Sequence, residues 1–204
     1  MDNEQDYIRD ITEIRTMMER SSKFLSLSGW AGVMAGIYAL AGAFVAGNFL
    51  HFNPAEDQVA GMHTYDLLQV IALAVIVLAL SVSTAVFLSD RNAAGKGERS
   101  WNATSRRLLT YASVPLISGG ILCLVFISKG LMAFAPSMTL LFYGLALYIA
   151  GNFTYSAIRY LGLLQVILGL IAAALPGYGM WLWSAGFGVL HIVYGIYIHY
   201  KYEQ

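Results

Sequence analysis

Leu67-Leu68-Gln69-Val70-Ile71-Ala72-Leu73-Ala74-Val75-Ile76-Val77-Leu78-Ala79-Leu80-Ser81-Val82-Ser83-Thr84-Ala85-Val86-Phe87-Leu88 contains no charged side chain, and Asp66 and Asp90 stand at its two ends. A hydrocarbon core about 30 Å thick is crossed by about 20 apolar residues wound as a helix. Backbone polar groups find no water there, so a single segment satisfies them only by helical bonding within itself. The stretch therefore reads as a transmembrane helix.

Five further apolar runs flank it: Phe24 to Leu50, Leu108 to Ile127, Pro136 to Ala150, Ala157 to Leu175 and Met180 to His199. The composition agrees, with 58% hydrophobic and only 12% charged residues, against about 25% charged in soluble domains. The expected fold is all-α: a polytopic membrane protein whose six transmembrane helices occupy residues 24–200. A short amphipathic helix over 1–23 precedes them, and residues 201–204 form a tail. Pro136 fits the first turns of its helix, whereas Pro115 lies inside the third, where its missing N–H predicts a kink.

Basic residues are retained on the cytoplasmic side. Six crossings put Arg9, Arg15, Arg20, Lys23, Arg91, Lys96, Arg99, Arg106, Arg107, Arg159 and Lys201 on one side and Lys129 alone on the other. Both termini are thus expected in the cytoplasm. More than twenty polar and charged residues precede the first apolar run, so no cleaved signal peptide is expected. The sequons beginning at Asn102 and Asn152 fall on the cytoplasmic side and are read as chance. Lys23, Arg107 and Arg159 each open an outward helix, with leucine two residues later and Gly36, Gly120 or Ala172 thirteen residues on, a pattern consistent with three parallel helical hairpins.

Helices in lipid associate through small residues and interhelical hydrogen bonds. In the first helix Gly29, Gly32, Gly36, Ala39, Ala43 and Ala46 share one face, a packing seam that also suits a homo-oligomer contact. The fifth carries Gly162, Gln165, Gly169 and Ala172, and the sixth Ser184, Gly188, His191 and Gly195, each a small-residue face around polar groups.

Candidate chemistry is sparse. No carboxylate lies mid-helix, and no catalytic triad, HExxH or phosphate-binding loop is present, which disfavours an enzyme. His191 is the one ionisable group near mid-membrane, a default functional candidate. It reads either as a neutral imidazole bonded across a seam or as part of a polar site with Gln165, Tyr143 and Tyr194. Gln165 and His191 come to nearly the same depth, so a hydrogen bond between them is expected. Haem would need a second histidine at that depth, and none exists, so no cofactor is expected. Arg159, one turn into its helix, reads as a snorkelling anchor or as a contact for an anion or lipid head group. The first outer loop holds His51, His63, Asp57 and Asp66, but their spacing matches no metal-ligand pattern and the loop reads as solvated.

The amino-terminal segment carries Tyr7, Ile11, Ile14 and Met18 on one stripe of a helix with more acids than bases, which suits a protein partner better than a membrane surface. Zero net charge offers no field for nucleic acid. Ser21-Ser22-Lys23-Phe24-Leu25-Ser26-Leu27-Ser28-Gly29 and Gly186-Phe187-Gly188-Val189-Leu190-His191-Ile192-Val193-Tyr194-Gly195 resemble small polytopic inner-membrane proteins of bacteria. That resemblance implies a bacterial inner membrane and no particular activity. The functional expectation is a non-enzymatic scaffold or regulator with lipids and a cytoplasmic partner; the alternative is a carrier or channel for a small solute or lipid, with a cavity between helices four to six.

Overall fold

The structure, a computed structural model, describes residues 27–60, 64–95 and 101–203. The expected amphipathic helix at 1–23 and His63 lie outside them. Everything regular in the described residues is helical, and six helices are long and apolar enough to cross a membrane. The chain is an all-α, multi-pass membrane protein.

The first span is α1 (Gly29–Asn48); a short α2 (Pro54–Ala60) follows, then the long α3 (Thr64–Gly95). Next come α4 (Ala103–Ser128), α5 (Ala135–Ala150) and α6 (Ser156–Ala174). The sixth span, Pro176–Glu203, is composite. It contains α7 (Gly179–Trp183), a π-helical stretch Ser184–Leu190, α8 (His191–Ile198) and a second π stretch, His199–Glu203.

Two helices outrun their apolar cores for local reasons. Asn102 accepts from the N–H groups of Thr104 (3.0 Å) and Ser105 (2.9 Å), and Ser105 Oγ accepts from the Asn102 N–H (2.8 Å). This capping box, a motif typically contributing about 1 kcal/mol, starts α4 before its apolar run and takes Arg106 and Arg107 into its first two turns. The Asn102 sequon is thus a helix cap. α3 likewise continues past Asp90 to Gly95.

Neighbours alternate as six crossings require. At one end α2 packs on the 3-10 turns Met132–Phe134 and Pro176–Tyr178, which precede α5 and α7. At the other end a single apolar cluster gathers Ala150, Tyr155, Ala157, Ile158 and Ile198, with Leu27, Leu108 and Tyr202 against it. Odd connections thus share one face of the bundle and even connections the other.

The spans run α3, α1, sixth span, then α6 and α5, with α4 on the far side of α5. α3 touches the bundle along α1, through Val77 over Gly42 and a Tyr38 Oη···Thr84 Oγ1 contact of 3.3 Å. Its remaining surface, from Leu68 through Val75 and Leu78 to Phe87, is exposed, so lipid is its solvent.

The small-residue face of α1 meets the sixth span. A Cβ on Gly36 would lie 2.6 Å from Gly188 O, and one on Gly195 2.5 Å from Gly29 O and 2.6 Å from Val33 N. First and last spans therefore pack backbone to backbone, as small residues permit in lipid. Leu40 fills the hole left by Gly188.

The glycines of α6 face the other way. A Cβ on Gly162 would lie 2.7 Å from Gly144 O, and one on Gly169 2.8 Å from Leu141 N. The seams of the fifth and sixth spans therefore do not close on each other: one belongs to α5 and the other to α1. α1–α3 and α4–α5 are packed hairpins, whereas α6 packs chiefly on α5 rather than on the sixth span.

Candidate polar site in the membrane

The sixth span is sandwiched between α1 on one side and α5 with α6 on the other, and its winding reflects that. Gly188 faces Leu40, while Gly186, two residues earlier, points at Leu140 and Gln165. A Cβ on Gly186 would come within 2.5 Å of Leu140 Cδ2 and 2.6 Å of Gln165 Oε1. A Cβ at either position would therefore have to displace a neighbouring side chain.

Between Ser184 and Leu190 the helix is π-wound, so carbonyls pair five residues on rather than four. The His191 N–H, next after the π stretch, reaches Gly188 O. Two side chains converge on another carbonyl of this stretch: Gly186 O accepts from Gln165 Nε2 at 2.8 Å and from His191 Nδ1 at 2.9 Å.

Because a carbonyl oxygen only accepts, this arrangement assigns the proton of the neutral imidazole to Nδ1. Nε2 is then an acceptor, and Tyr143 Oη lies 2.9 Å from it and donates. Gln165 Nε2 also stands 3.4 Å from His191 Nδ1, but two donors face each other there. The expected Gln165–His191 hydrogen bond is therefore replaced by shared donation to Gly186 O. The donors end on a backbone carbonyl, so the network orients three side chains and passes no proton onward.

Gln165 is fully buried and His191 is 5% exposed. Gln165 Oε1 is buried without a hydrogen-bond partner and faces the Gly186 Cα. Such a group costs free energy in an apolar medium. Rings shield the cluster: Phe187 lies parallel to His191 with centroids 5.8 Å apart, and Tyr143 and Trp183 each stand 4.9 Å from Phe187.

The other expected site residues lie elsewhere. Tyr194 packs toward the apolar cluster of Tyr155, Ile158 and Ile198, and its hydroxyl is buried without a partner. Arg159 is exposed, donates from Nη2 to Asn152 Oδ1 at 2.6 Å and stands 5.9 Å from the Tyr148 ring. In the first connection Asp57 accepts from the N–H of Asn53, the residue before α2, at 3.0 Å, while His51 and Asp66 are exposed. Among the described residues no group of three or more His, Cys, Asp or Glu could hold a metal ion.

Two features were not anticipated from the residues. One is Gly186, whose carbonyl joins the cluster; a Gly-x-Gly pair in mid-span, facing neighbours on opposite sides, is the signal that marks it. The other is a clasp at the end of the bundle where the even connections lie. Glu203 Oε1 accepts from the Gly29 N–H at 2.7 Å while Oε2 meets His199 Nδ1 at 2.7 Å. Ser28 makes no side-chain cap for α1, so the carboxylate of the last span serves instead, where a helix N-terminus favours negative charge.

No protein-family model matches this chain, and comparison with curated proteins and with solved structures finds no match.

A double-mutant cycle tests the network. Tyr143→Phe and His191→Ala should couple by about 0.6 kcal/mol, and no more than about 1.7, as interhelical hydrogen bonds in membranes do. Thermal unfolding in detergent reads it, and additivity of the two substitutions would remove the Tyr143–His191 bond from the account.

Proposed function

We propose that the protein is a non-enzymatic scaffold or regulator of a multi-pass inner membrane, acting on a cytoplasmic partner through residues 1–23. Both termini lie in the cytoplasm. The observation that carries this reading is the Glu203 clasp on Gly29. It fixes Gly29, where the first span begins, and ties it to the end of the last span. The Trp30 and His199 rings, 5.4 Å apart, add to the same junction. A sequence with a narrow apolar stripe, preceding a first span whose start is fixed in this way, supports the reading of a partner contact.

Affinity capture with the full chain and with a chain lacking residues 1–20 tests the proposal. The partner should be retained by the first and lost by the second, and Glu203→Ala should weaken retention without unfolding the bundle. Equal retention with and without the segment would sink the reading.

A second reading, a carrier or channel for a small solute or lipid built around the fourth to sixth spans, is favoured by the unpartnered Gln165 Oε1 beside His191. Its mark is a His191→Ala protein that stays folded and loses transport.

A further inference from the structure

We propose that Arg159, positioned by Asn152 where α5 turns into α6, binds the phosphate of an anionic phospholipid whose acyl chain lies along Leu163, Ile167 and Leu170. The guanidinium is exposed and spends one donor on Asn152 Oδ1. Asn152 is itself fixed, since its Nδ2 donates to Ile149 O at 3.1 Å. The end of α5 runs so close beneath that a Cβ on Gly151 would lie 2.7 Å from the Arg159 backbone N. Arginine carries five N–H donors in a planar fork, so most remain to take two phosphate oxygens at once. Among the described residues no carboxylate pairs with it.

Depth and surroundings fit a lipid rather than a free anion. Arg159 stands one turn inside an apolar span that starts at Ser156, about where head groups meet acyl chains. Leu163, Ile167 and Leu170 follow it at four, eight and eleven residues, on the same helical face, and are 47%, 44% and 56% exposed. Tyr148 and Tyr160, 44% and 68% exposed, flank the arginine with the amphipathic rings typical of the membrane interface. Next to Asn152, the Phe153 ring is held by stacking on Tyr111 at 5.5 Å. Asn152 is thereby a positioning residue for Arg159.

Native mass spectrometry of the full chain released from detergent, after addition of phosphatidylglycerol, phosphatidylcholine or inorganic phosphate, tests the site. Phosphatidylglycerol should be retained about tenfold better than phosphatidylcholine. Arg159→Gln should bring the two lipids level, Arg159→Lys should lose part of the preference with the fork, and Asn152→Ala should fall between. Lys129→Gln, at the opposite end of the bundle, should change nothing. Undiminished phosphatidylglycerol retention in both folded Arg159→Gln and Asn152→Ala would overturn the proposal. So would displacement of the lipid by inorganic phosphate, which would make this a free-anion site.

Discussion

Gly195→Leu should destabilise the bundle by about 3 kcal/mol, at the top of the usual overpacking range, and lower its thermal midpoint in detergent. The reason is that the added Cβ meets backbone on the facing helix: Gly29 O at 2.5 Å and Val33 N at 2.6 Å. No rotamer relieves that contact, so α1 and the sixth span must separate. Their separation would also pull Gly29 away from Glu203. Gly36→Leu, whose Cβ meets Gly188 O and Ile192 Cγ1 at 2.6 Å each, should cost about 1 to 3 kcal/mol for the same reason. Ile37, one residue on and 45% exposed, supplies the control, because Ile37→Val should shift stability by no more than about 0.5 kcal/mol. Leu40 is no such control, since it packs into the Gly188 hole. Unfolding midpoints that do not distinguish Gly195→Leu from Ile37→Val would remove the backbone seam.

Gln165→Glu should cost about 3 kcal/mol, the scale measured for placing an ionised side chain at mid-membrane. Shape is nearly unchanged by the substitution; donor chemistry is what changes. Gln165 Nε2 donates to Gly186 O at 2.8 Å, and a carboxylate there sets oxygen against oxygen in a site that is fully buried. Tyr143→Phe, which removes one hydroxyl and keeps the ring on Phe187, should cost well under half as much. Folded yield and thermal midpoint at neutral pH measure both. A Gln165→Glu protein as stable as wild type would mean that the amide is not committed to Gly186 O.

Much of this architecture is readable from residues alone, and the reason is the solvent. Where lipid surrounds a chain, apolar runs such as Leu67 to Leu88 have to be helices, so six runs give six spans. Close approach is readable too, because Gly29, Gly32 and Gly36 recur on one helical face. What spacing leaves open is the identity of the partner. The faces of Gly162 with Gly169 and of Gly188 with Gly195 look like two halves of one seam, yet they meet α5 and α1 respectively. Small residues report that a backbone comes near without saying which one. Helix ends are hidden for a related reason: hydropathy stops at Leu108, whereas the Asn102–Ser105 capping box carries α4 further.

At the polar site, depth arithmetic brings Gln165 and His191 together, and Tyr143 with them. It does not reveal the π winding, or that both side chains donate to Gly186 O while remaining adjacent. Tyr194, three residues beyond His191, lies toward the apolar cluster of Tyr155, Ile158 and Ile198 instead. The Glu203 clasp was invisible because its acceptor and donor are 174 residues apart and no local pattern links them.

The six-crossing arrangement with even connections in the cytoplasm is most directly tested by labelling with an impermeant thiol reagent. Glu56 is exposed on α2 and Trp101 is 65% exposed just before α4, at opposite ends of the bundle. Each is replaced singly by cysteine in a Cys123→Ala background, and intact cells are compared with opened ones. The account predicts that Glu56→Cys reacts in intact cells and Trp101→Cys only after the cells are opened. Reaction of Trp101→Cys in intact cells would contradict it.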